Sequence, residues 1–342
     1  MKTLINTDMK NLLAGGLFYG TGGGGNPMRA KEILESLSRN NALPGLIEAK
    51  NLNSRGVCIT GFPVGGLKAE AISRELMETM LMRYQTILKQ PVQAIIPVEI
   101  GSLSLAVSME LASILRLPVV DADVVGGRSS PEVFLETITL FSIPRTPLLV
   151  FNAPGKYQML TKNVSYQKEE EFLRSFAARS GGFAYVFGYP LTKQVILRSV
   201  AQNTVSQTLR VGRMIANRTL SKNLTKINAL KLFSGTISNI KSIKQRGFTS
   251  KILEIKNGAQ KAKIYIKNEN IILWIDDAVI LTCPDLIVMT DDSYFPLFNE
   301  FLRLNTRVTI LGAKSAPLWR TPKGKRLFSP KTFGFPFASA LL

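Results

Sequence analysis

Histidine is absent from the 342-residue chain. This absence excludes a Ser-His-Asp catalytic triad and any zinc site built on histidine ligands. Acid–base chemistry must therefore use Asp, Glu, Lys, Tyr, Cys or water. Cysteine is nearly as scarce, because only Cys58 and Cys283 occur, far apart in the sequence. We expect no disulfide framework, which is typical of a reducing compartment such as the cytoplasm.

Long apolar runs are also missing. The chain has no stretch of about 18 or more apolar residues, the length that a membrane-spanning helix requires. The first residues lack the apolar run of roughly 7–15 residues that a secretory signal needs. We therefore expect a cytoplasmic protein without a membrane partner. Hydrophobic residues make up 45% of the chain, and its length favours two domains over a single core.

Acidic residues are scarce in the second part of the chain. Residues 1–150 hold 14 Lys/Arg and 13 Asp/Glu, whereas residues 151–342 hold 29 and 11, a balance of +18. Such a bias is typical either of a surface for a polyanion or acidic partner, or of dispersed, solvated charge. The lysines between 222 and 267 stand singly among other residues, which favours dispersed charge and makes nucleic acid an improbable partner.

Apolar strands alternate with helices over residues 1–150. Predicted helices cover residues 8–18, 28–38, 68–88, 103–115 and 131–141, and predicted strands cover 57–60, 92–100, 118–121 and 148–151. This alternation indicates an α/β domain with a mostly parallel sheet. Residues 151–230 continue the same domain, with a helix at 168–179, a strand at 182–188 and a mostly helical segment at 192–218.

The pattern changes after residue 231. Short alternating runs separated by Gly, Asn and Asp predict a smaller, mainly-β C-terminal domain over residues 231–342. The predicted strands are 235–240, 251–255, 262–267, 271–275, 278–282, 286–289 and 307–311.

Five glycines in six positions separate the first two predicted helices. Glycine allows positive φ and close approach of backbone N–H groups to a ligand, which suits an anion or oxyanion. No Lys-Ser/Thr follows, so the segment is not a P-loop, and a preceding helix argues against a dinucleotide fingerprint. The alternative is a simple helix–helix turn. The candidate substrate-binding residues are Gly20, Thr21, Gly22, Gly23, Gly24, Gly25 and Asn26.

Acidic residues follow the strand at 118–121. Asp121 and Asp123 are followed by Arg128 and Glu132, and Glu99 ends the preceding strand. Ligands of open α/β sheets bind at the carboxyl ends of strands. Such a cluster could hold a metal, or divide into a base and a charge stabiliser; the alternative is helix capping and a loop salt bridge. Cys58 and Cys283 are expected to be buried hydrophobes.

Several segments together resemble the S-methyl-thiohydantoin desulfurase domain family, whose members often occur beside hydantoinase/oxoprolinase proteins. The similarity covers almost the whole chain. Its glycine signature is similar to residues 17–27, and its acidic signature, DAD-x-x-GR-x-x-PE, to residues 121–132. Further similar runs are 267–270, 283–287 and 333–334.

This resemblance implies hydrolytic attack on a C–S or C–N centre of a five-membered heterocycle such as a hydantoin or thiohydantoin. Asp121 or Asp123 would act as base within a carboxylate cluster that includes Glu99 and Glu132, directly or through a divalent metal. Arg128 would orient the substrate, and the glycine amides would stabilise negative charge. The alternative is a divergent, inactive member that binds a small anionic metabolite or an acidic partner. Self-association as a homo-oligomer is compatible with either.

Overall fold

The structure is a computed structural model that describes residues 1–65, 72–244 and 249–342. In the described residues the α-helices are α1 (Asn6–Tyr19), α2 (Pro27–Arg39), α3 (Arg74–Leu88), α4 (Ser102–Ile114), α5 (Thr137–Leu140), α6 (Tyr166–Arg179), α7 (Lys193–Ser199), α8 (Thr204–Ala216) and α9 (Pro322–Leu327). None of these described helices combines the length and apolarity needed to cross a bilayer.

Three sets of strands organise the described residues. The first ten strands are β1 (Lys2–Thr3), β2 (Gly45–Ile47), β3 (Val57–Gly65), β4 (Val92–Ile95), β5 (Val119–Val120), β6 (Ala122–Asp123), β7 (Leu148–Phe151), β8 (Tyr157–Leu160), β9 (Phe183–Thr192) and β10 (Ala201–Gln202). The remaining strands are β11 (Ala229–Lys244), β12 (Thr249–Asn257), β13 (Gln260–Lys267), β14 (Glu269–Ile275), β15 (Ala278–Thr282), β16 (Leu286–Thr290) and β17 (Arg307–Ala313).

The first sheet has the order β1-β2-β5-β4-β3-β9-β7-β8. Its centre, β2-β5-β4-β3, is parallel, whereas β1 and the β9-β7-β8 edge pair antiparallel with their neighbours. The sheet is therefore mixed, and the prediction of a mostly parallel sheet was wrong. An apolar run between two helices predicts a buried strand but does not encode its direction, and β7 and β8 form a hairpin with no crossover helix.

Helices cover both faces of this sheet. On one face, α1 to α4 bury side chains such as Leu12, Ile33 and Leu105 against the strands. On the other face, Phe176 of α6 and Ile196 of α7 pack against the sheet. A three-layer arrangement follows, and it leaves the strand-end loops free to form sites.

Two predicted helices differ from the structure. The segment 131–141 is helical only over Thr137–Leu140, and Glu136, the residue before this helix, forms a buried ion pair with Arg145 at 3.0 Å. The segment 192–218 divides into α7 and α8, where β10 pairs with β6. The predicted start of the helix at residue 68 lies outside the described residues, as does the loop through Gly66.

The second sheet is antiparallel throughout, in the order β15-β14-β13-β12-β11-β17-β16. Each of the seven predicted C-terminal strands corresponds to one of these, which confirms the mainly-β prediction. Its core joins residues such as Ile255, Ile264 and Ile310. A separate apolar cluster places Phe18 of α1 against Val288 and Leu311 of this sheet, so that the glycine-rich segment lies at the junction of the two domains.

Candidate functional site

The glycine-rich segment is a turn between α1 and α2, as predicted. The Asn26 side chain begins α2 by accepting a hydrogen bond from the Met28 amide at 2.9 Å. Gly24 has φ +77°, and a Cβ there would lie 2.6 Å from the Gly101 Cα and from the Ser129 Oγ. Close packing against the loop that begins α4 therefore requires glycine at this position.

The C-terminal domain covers this turn. The Gly24 amide donates to Oε1 of Glu269 at 3.3 Å, and the Asn270 amide donates to the Thr21 carbonyl at 2.8 Å. The Asn299 amide donates to the carbonyl of Gly22, also at 2.8 Å. The group next to the turn is therefore the protein's own Glu269 side chain, and the turn joins the two domains.

The carboxylates of Asp121 and Asp123, which follow β5, both accept hydrogen bonds from the protein. The Asp121 carboxylate accepts hydrogen bonds from the Ser206 amide at 2.9 Å and the Ser206 hydroxyl at 2.6 Å, at the start of α8. Asp123 accepts from the amides of Gly126 and Gly127, each at 2.7 Å. Burial raises the pKa of Asp123 to about 7, although these two amides oppose the shift.

A metal at this pair of carboxylates is not supported by their surroundings. All four oxygens of Asp121 and Asp123 accept protein hydrogen bonds. The described residues contain no group of three or more His, Cys, Asp or Glu side chains arranged to hold a metal ion. These two residues therefore do not fit a divalent metal.

Arg128 is completely buried. Its Nε donates to the Ser129 carbonyl at 2.9 Å, one Nη donates to the Pro284 carbonyl, and the guanidinium lies 4.6 Å from the centre of the Phe328 ring. Burial lowers the pKa of Arg128. The structure thus places this arginine between the two domains, and not on the wall of the cavity described next.

Glu99 and Glu132 do meet at a cavity of about 340 Å³. The carboxylate of Glu99 is held at both oxygens: it accepts from the Ser104 hydroxyl at 2.7 Å and from the Ser130 amide at 3.0 Å. Glu132 pairs with Lys267 of the second sheet. The wall is mostly apolar and includes Gly61, Phe62, Pro63, Val98, Leu103, Val107, Val125, Pro131 and Val133.

Burial also shifts the ionisation of Glu99. It raises the pKa of this carboxyl, while the hydrogen bonds from Ser104 and Ser130 act in the opposite direction. Glu269 interacts with the charge of Glu99, and burial, followed by this charge, raises the pKa of Glu269 well above the ordinary value. A carboxyl with a raised pKa at the wall of a cavity is a candidate to accept and return a proton during a reaction.

Both cysteines are buried and free, which confirms their prediction as small hydrophobes. Burial raises the pKa of each thiol to about 12. The thiolate needed for nucleophilic attack is therefore a minor species at neutral pH.

Several residues around the cavity were not identified from the sequence as functional. Ser104 and Ser130 hold Glu99, Lys267 pairs with Glu132, and Asn268 lines the wall. Residues 267–270 did carry a signal, since they form one of the runs similar to the desulfurase family. Their role was not apparent because they approach the cavity from the other domain.

The protein combines a layered α/β domain with an antiparallel β domain, and a glycine turn joins the two. This arrangement defines its class. The family model described as "S-Me-THD-like, N-terminal domain" matches residues 7–162, and "S-Me-THD-like, C-terminal domain" matches residues 164–340. The chain therefore belongs to the S-Me-THD-like family, which confirms the resemblance drawn from the sequence.

A solved structure shows the same fold. The crystal structure of a protein from Chromobacterium violaceum is 18% identical, covers 100% of both chains and superposes with a TM-score of 0.83. None of the curated proteins matches this chain.

Proposed function

We propose that this protein is a hydrolase that acts on a small heterocycle of the hydantoin or thiohydantoin type, with Glu99 as the acid–base group. The observation that carries the proposal is the Glu99 carboxyl, which has a raised pKa and is held at both oxygens on the wall of a mostly apolar cavity. Family membership supports the substrate class.

The proposed reaction needs one proton acceptor that later becomes a donor. Glu99 takes a proton from water as the water oxygen attacks the ring carbon, and the π electrons of the attacked C=N or C=O bond move to its nitrogen or oxygen. That double bond then re-forms and the C–S or C–N bond breaks, while Glu99 returns the proton to the leaving sulfur or nitrogen. The second proton of the water stays on the product, in the carboxyl group after C–N cleavage or in the tautomeric ring amide after C–S cleavage. The proton thus passes through a single carboxyl, which requires no histidine.

The surroundings of Glu99 support an uncharged ring as the substrate. Phe62, Val98 and Val107 offer apolar contact for such a ring and a methylthio group. Glu132 lines the same cavity, pairs with Lys267 and supplies a polar group that can orient the ring by accepting a hydrogen bond from a ring N–H. In this proposal Asp121 and Asp123 shape the adjoining loop, because neither of them lines the Glu99 cavity.

The test measures turnover of two substrates. The first is an S-methylated thiohydantoin, whose turnover is monitored by the release of methanethiol, and the second is the corresponding hydantoin. General acid–base groups typically contribute about 10²–10⁴-fold in rate, so Glu99→Gln should lower kcat by about 100-fold or more. The matched control is Glu171→Gln on the exposed side of α6, which removes the same charge and should leave kcat unchanged.

Wild-type rates retained in Glu99→Gln would overturn the role of Glu99. A wild-type protein that turns over neither substrate, yet melts at a higher temperature in their presence, would favour the alternative of an inactive family member that only binds. Absence of both turnover and stabilisation would overturn the substrate class.

A further inference from the structure

A second cavity, of about 520 Å³, lies between the two domains. Among the described residues that line it there is no Asp or Glu, and the cationic side chains on its wall are Arg198, Arg210, Lys226, Lys314 and Arg320. We propose that this basic cleft binds a small organic anion with at least two negative charges, of the phosphate-ester class.

Most of these cations lack a counter-ion. Arg320 contacts both oxygens of Asp285, at 2.6 and 2.8 Å. Within residues 1–65, 72–244 and 249–342, no carboxylate forms a salt bridge with Arg210, Lys226 or Lys314. Several like charges around one concave surface raise the local potential, and an anionic ligand would be attracted to it.

The cations come from separate elements that the fold brings together. Arg198 lies near the end of α7 and Arg210 on α8, while Lys226 precedes β11 and Lys314 follows β17. The Lys314 amide donates to the Asn228 carbonyl at 3.0 Å, which ties the last two segments to each other. All of these positions belong to the basic part of the chain, residues 151–342, so part of its excess charge is concentrated in this cleft.

The remaining wall suits an organic anion. Leu197, Ile227 and Leu318 offer apolar contact beside the cations. Tyr19 also lines the cleft, and burial raises the pKa of its hydroxyl to about 12, while the charge of Arg210 lowers it. Tyr19 is therefore a neutral hydroxyl beside a cation. A volume of this size is typical of small-molecule sites, which favours a small anion over nucleic acid.

The basic cleft is distinct from the Glu99 cavity. Val125 lines the Glu99 cavity, whereas the next two residues, Gly126 and Gly127, line the basic cleft. One loop therefore separates the two, and a ligand in the cleft would not need to contact Glu99. The anion site can consequently be tested independently of the proposed hydrolase.

Calorimetric titration with inorganic pyrophosphate, at ionic strength held constant with sodium chloride, tests the proposal. We expect saturable binding to the wild type. The triple variant Arg210→Gln, Lys226→Gln, Lys314→Gln should bind at least 10-fold more weakly. All three side chains are exposed, so the variant should fold, which its melting curve without ligand checks.

A second triple variant, Lys241→Gln, Lys256→Gln, Lys261→Gln, removes the same charge from exposed positions outside the cleft and should bind like the wild type. Glu99→Gln should also bind normally, whatever its turnover. No binding by the wild type, or equal weakening in both triple variants, would overturn the proposal.

Discussion

At Gly24 the lack of a side chain allows two parts of the protein to meet. The amide of this residue donates to Glu269, and its Cα lies against Gly101. An added methyl group would meet the backbone of that loop as well as the Ser129 hydroxyl. The glycine turn therefore belongs to the N-terminal domain and also forms part of its junction with the C-terminal domain.

We predict that Gly24→Ala strongly destabilises the protein. Gly258 also has positive φ, but a Cβ there meets nothing within 4 Å among the described residues. Gly258→Ala should therefore cost only the left-handed backbone penalty of about 1–2 kcal/mol, whereas Gly24→Ala should cost about 1–3 kcal/mol more because of overpacking. Urea unfolding of both variants measures the difference. Equal losses would contradict the packing argument.

We predict that Ser104→Ala shifts the pH dependence of activity. Glu99 must be ionised to accept a proton, and burial raises its pKa above the ordinary value. Turnover should therefore rise with pH through an apparent pKa higher than that of an exposed glutamate. Loss of the Ser104 hydroxyl removes a hydrogen bond that favours the ionised form, so the acidic limb should move to higher pH.

The matched control for this prediction is Ser108→Ala. Ser108 lines the same cavity, but its hydroxyl donates to the Ser104 carbonyl and not to Glu99. Its pH profile should overlay that of the wild type. A profile for Ser104→Ala that is unchanged, or moved to lower pH, would contradict the assignment of the acidic limb to Glu99.

At the scale of elements, Asp121 connects the loop after β5 to α8. Its carboxylate occupies the first turn of this helix through the Ser206 amide and hydroxyl. A carboxylate in this position satisfies an otherwise unpaired amide and interacts favourably with the helix dipole. Capping was one of the two interpretations open for the acidic loop, and the contacts of Asp121 agree with it.

We predict that Asp121→Ala lowers stability by about 1–2 kcal/mol, the usual range for loss of a side-chain cap. Asp292→Ala is the control, because Asp292 is exposed and pairs with exposed Arg307; it should change stability by less than about 1 kcal/mol. Thermal unfolding measures both. An Asp121→Ala variant as stable as the control would contradict the capping role.

The hydrophobic periodicity of the sequence predicted the positions of many strands, but it did not predict which strands pair with each other or in which direction. The apolar run at 148–151 corresponds to β7, and the seven alternating C-terminal runs correspond to β11 to β17. Nothing in the residues of β9 indicates that it enters the first sheet antiparallel between β3 and β7. Strand direction depends on how the intervening chain returns, which local patterns do not contain.

The sequence predicted only part of the candidate site, because local patterns do not show which distant residues come together. Glu99 and Glu132 were selected together, and the structure brings them to one cavity. Asp121 was grouped with them because it is near in sequence, yet its partner, Ser206, lies 85 positions away. Contacts over such separations decide whether a carboxylate lies at this cavity, and they become visible only in the fold.

At the scale of the whole molecule, the first sheet depends on residues beyond the N-terminal family match. That match ends at residue 162, whereas β9 covers residues 183–192 and pairs with both β3 and β7. A chain that stops at the family boundary would leave two strands with unpaired edges, and unpaired edges promote aggregation.

We predict that a fragment of residues 1–162 does not fold cooperatively. A fragment of residues 1–228 restores β9 and α8, and should show a cooperative thermal transition at a lower temperature than the full chain, because the glycine turn would still lack Glu269. Circular dichroism melting of the two fragments and the full chain measures this order. Cooperative unfolding of residues 1–162 would contradict the role given to β9.

The contact between Gly23 and Glu269 also bears on how sequences of this kind can diverge. A Cβ at position 23 would overlap the carboxylate of Glu269. A larger residue at 23 is then tolerated only if position 269 becomes smaller or changes its rotamer. The two positions, 246 apart in the chain, should covary among homologues, so that replacement at one is followed by compensation at the other.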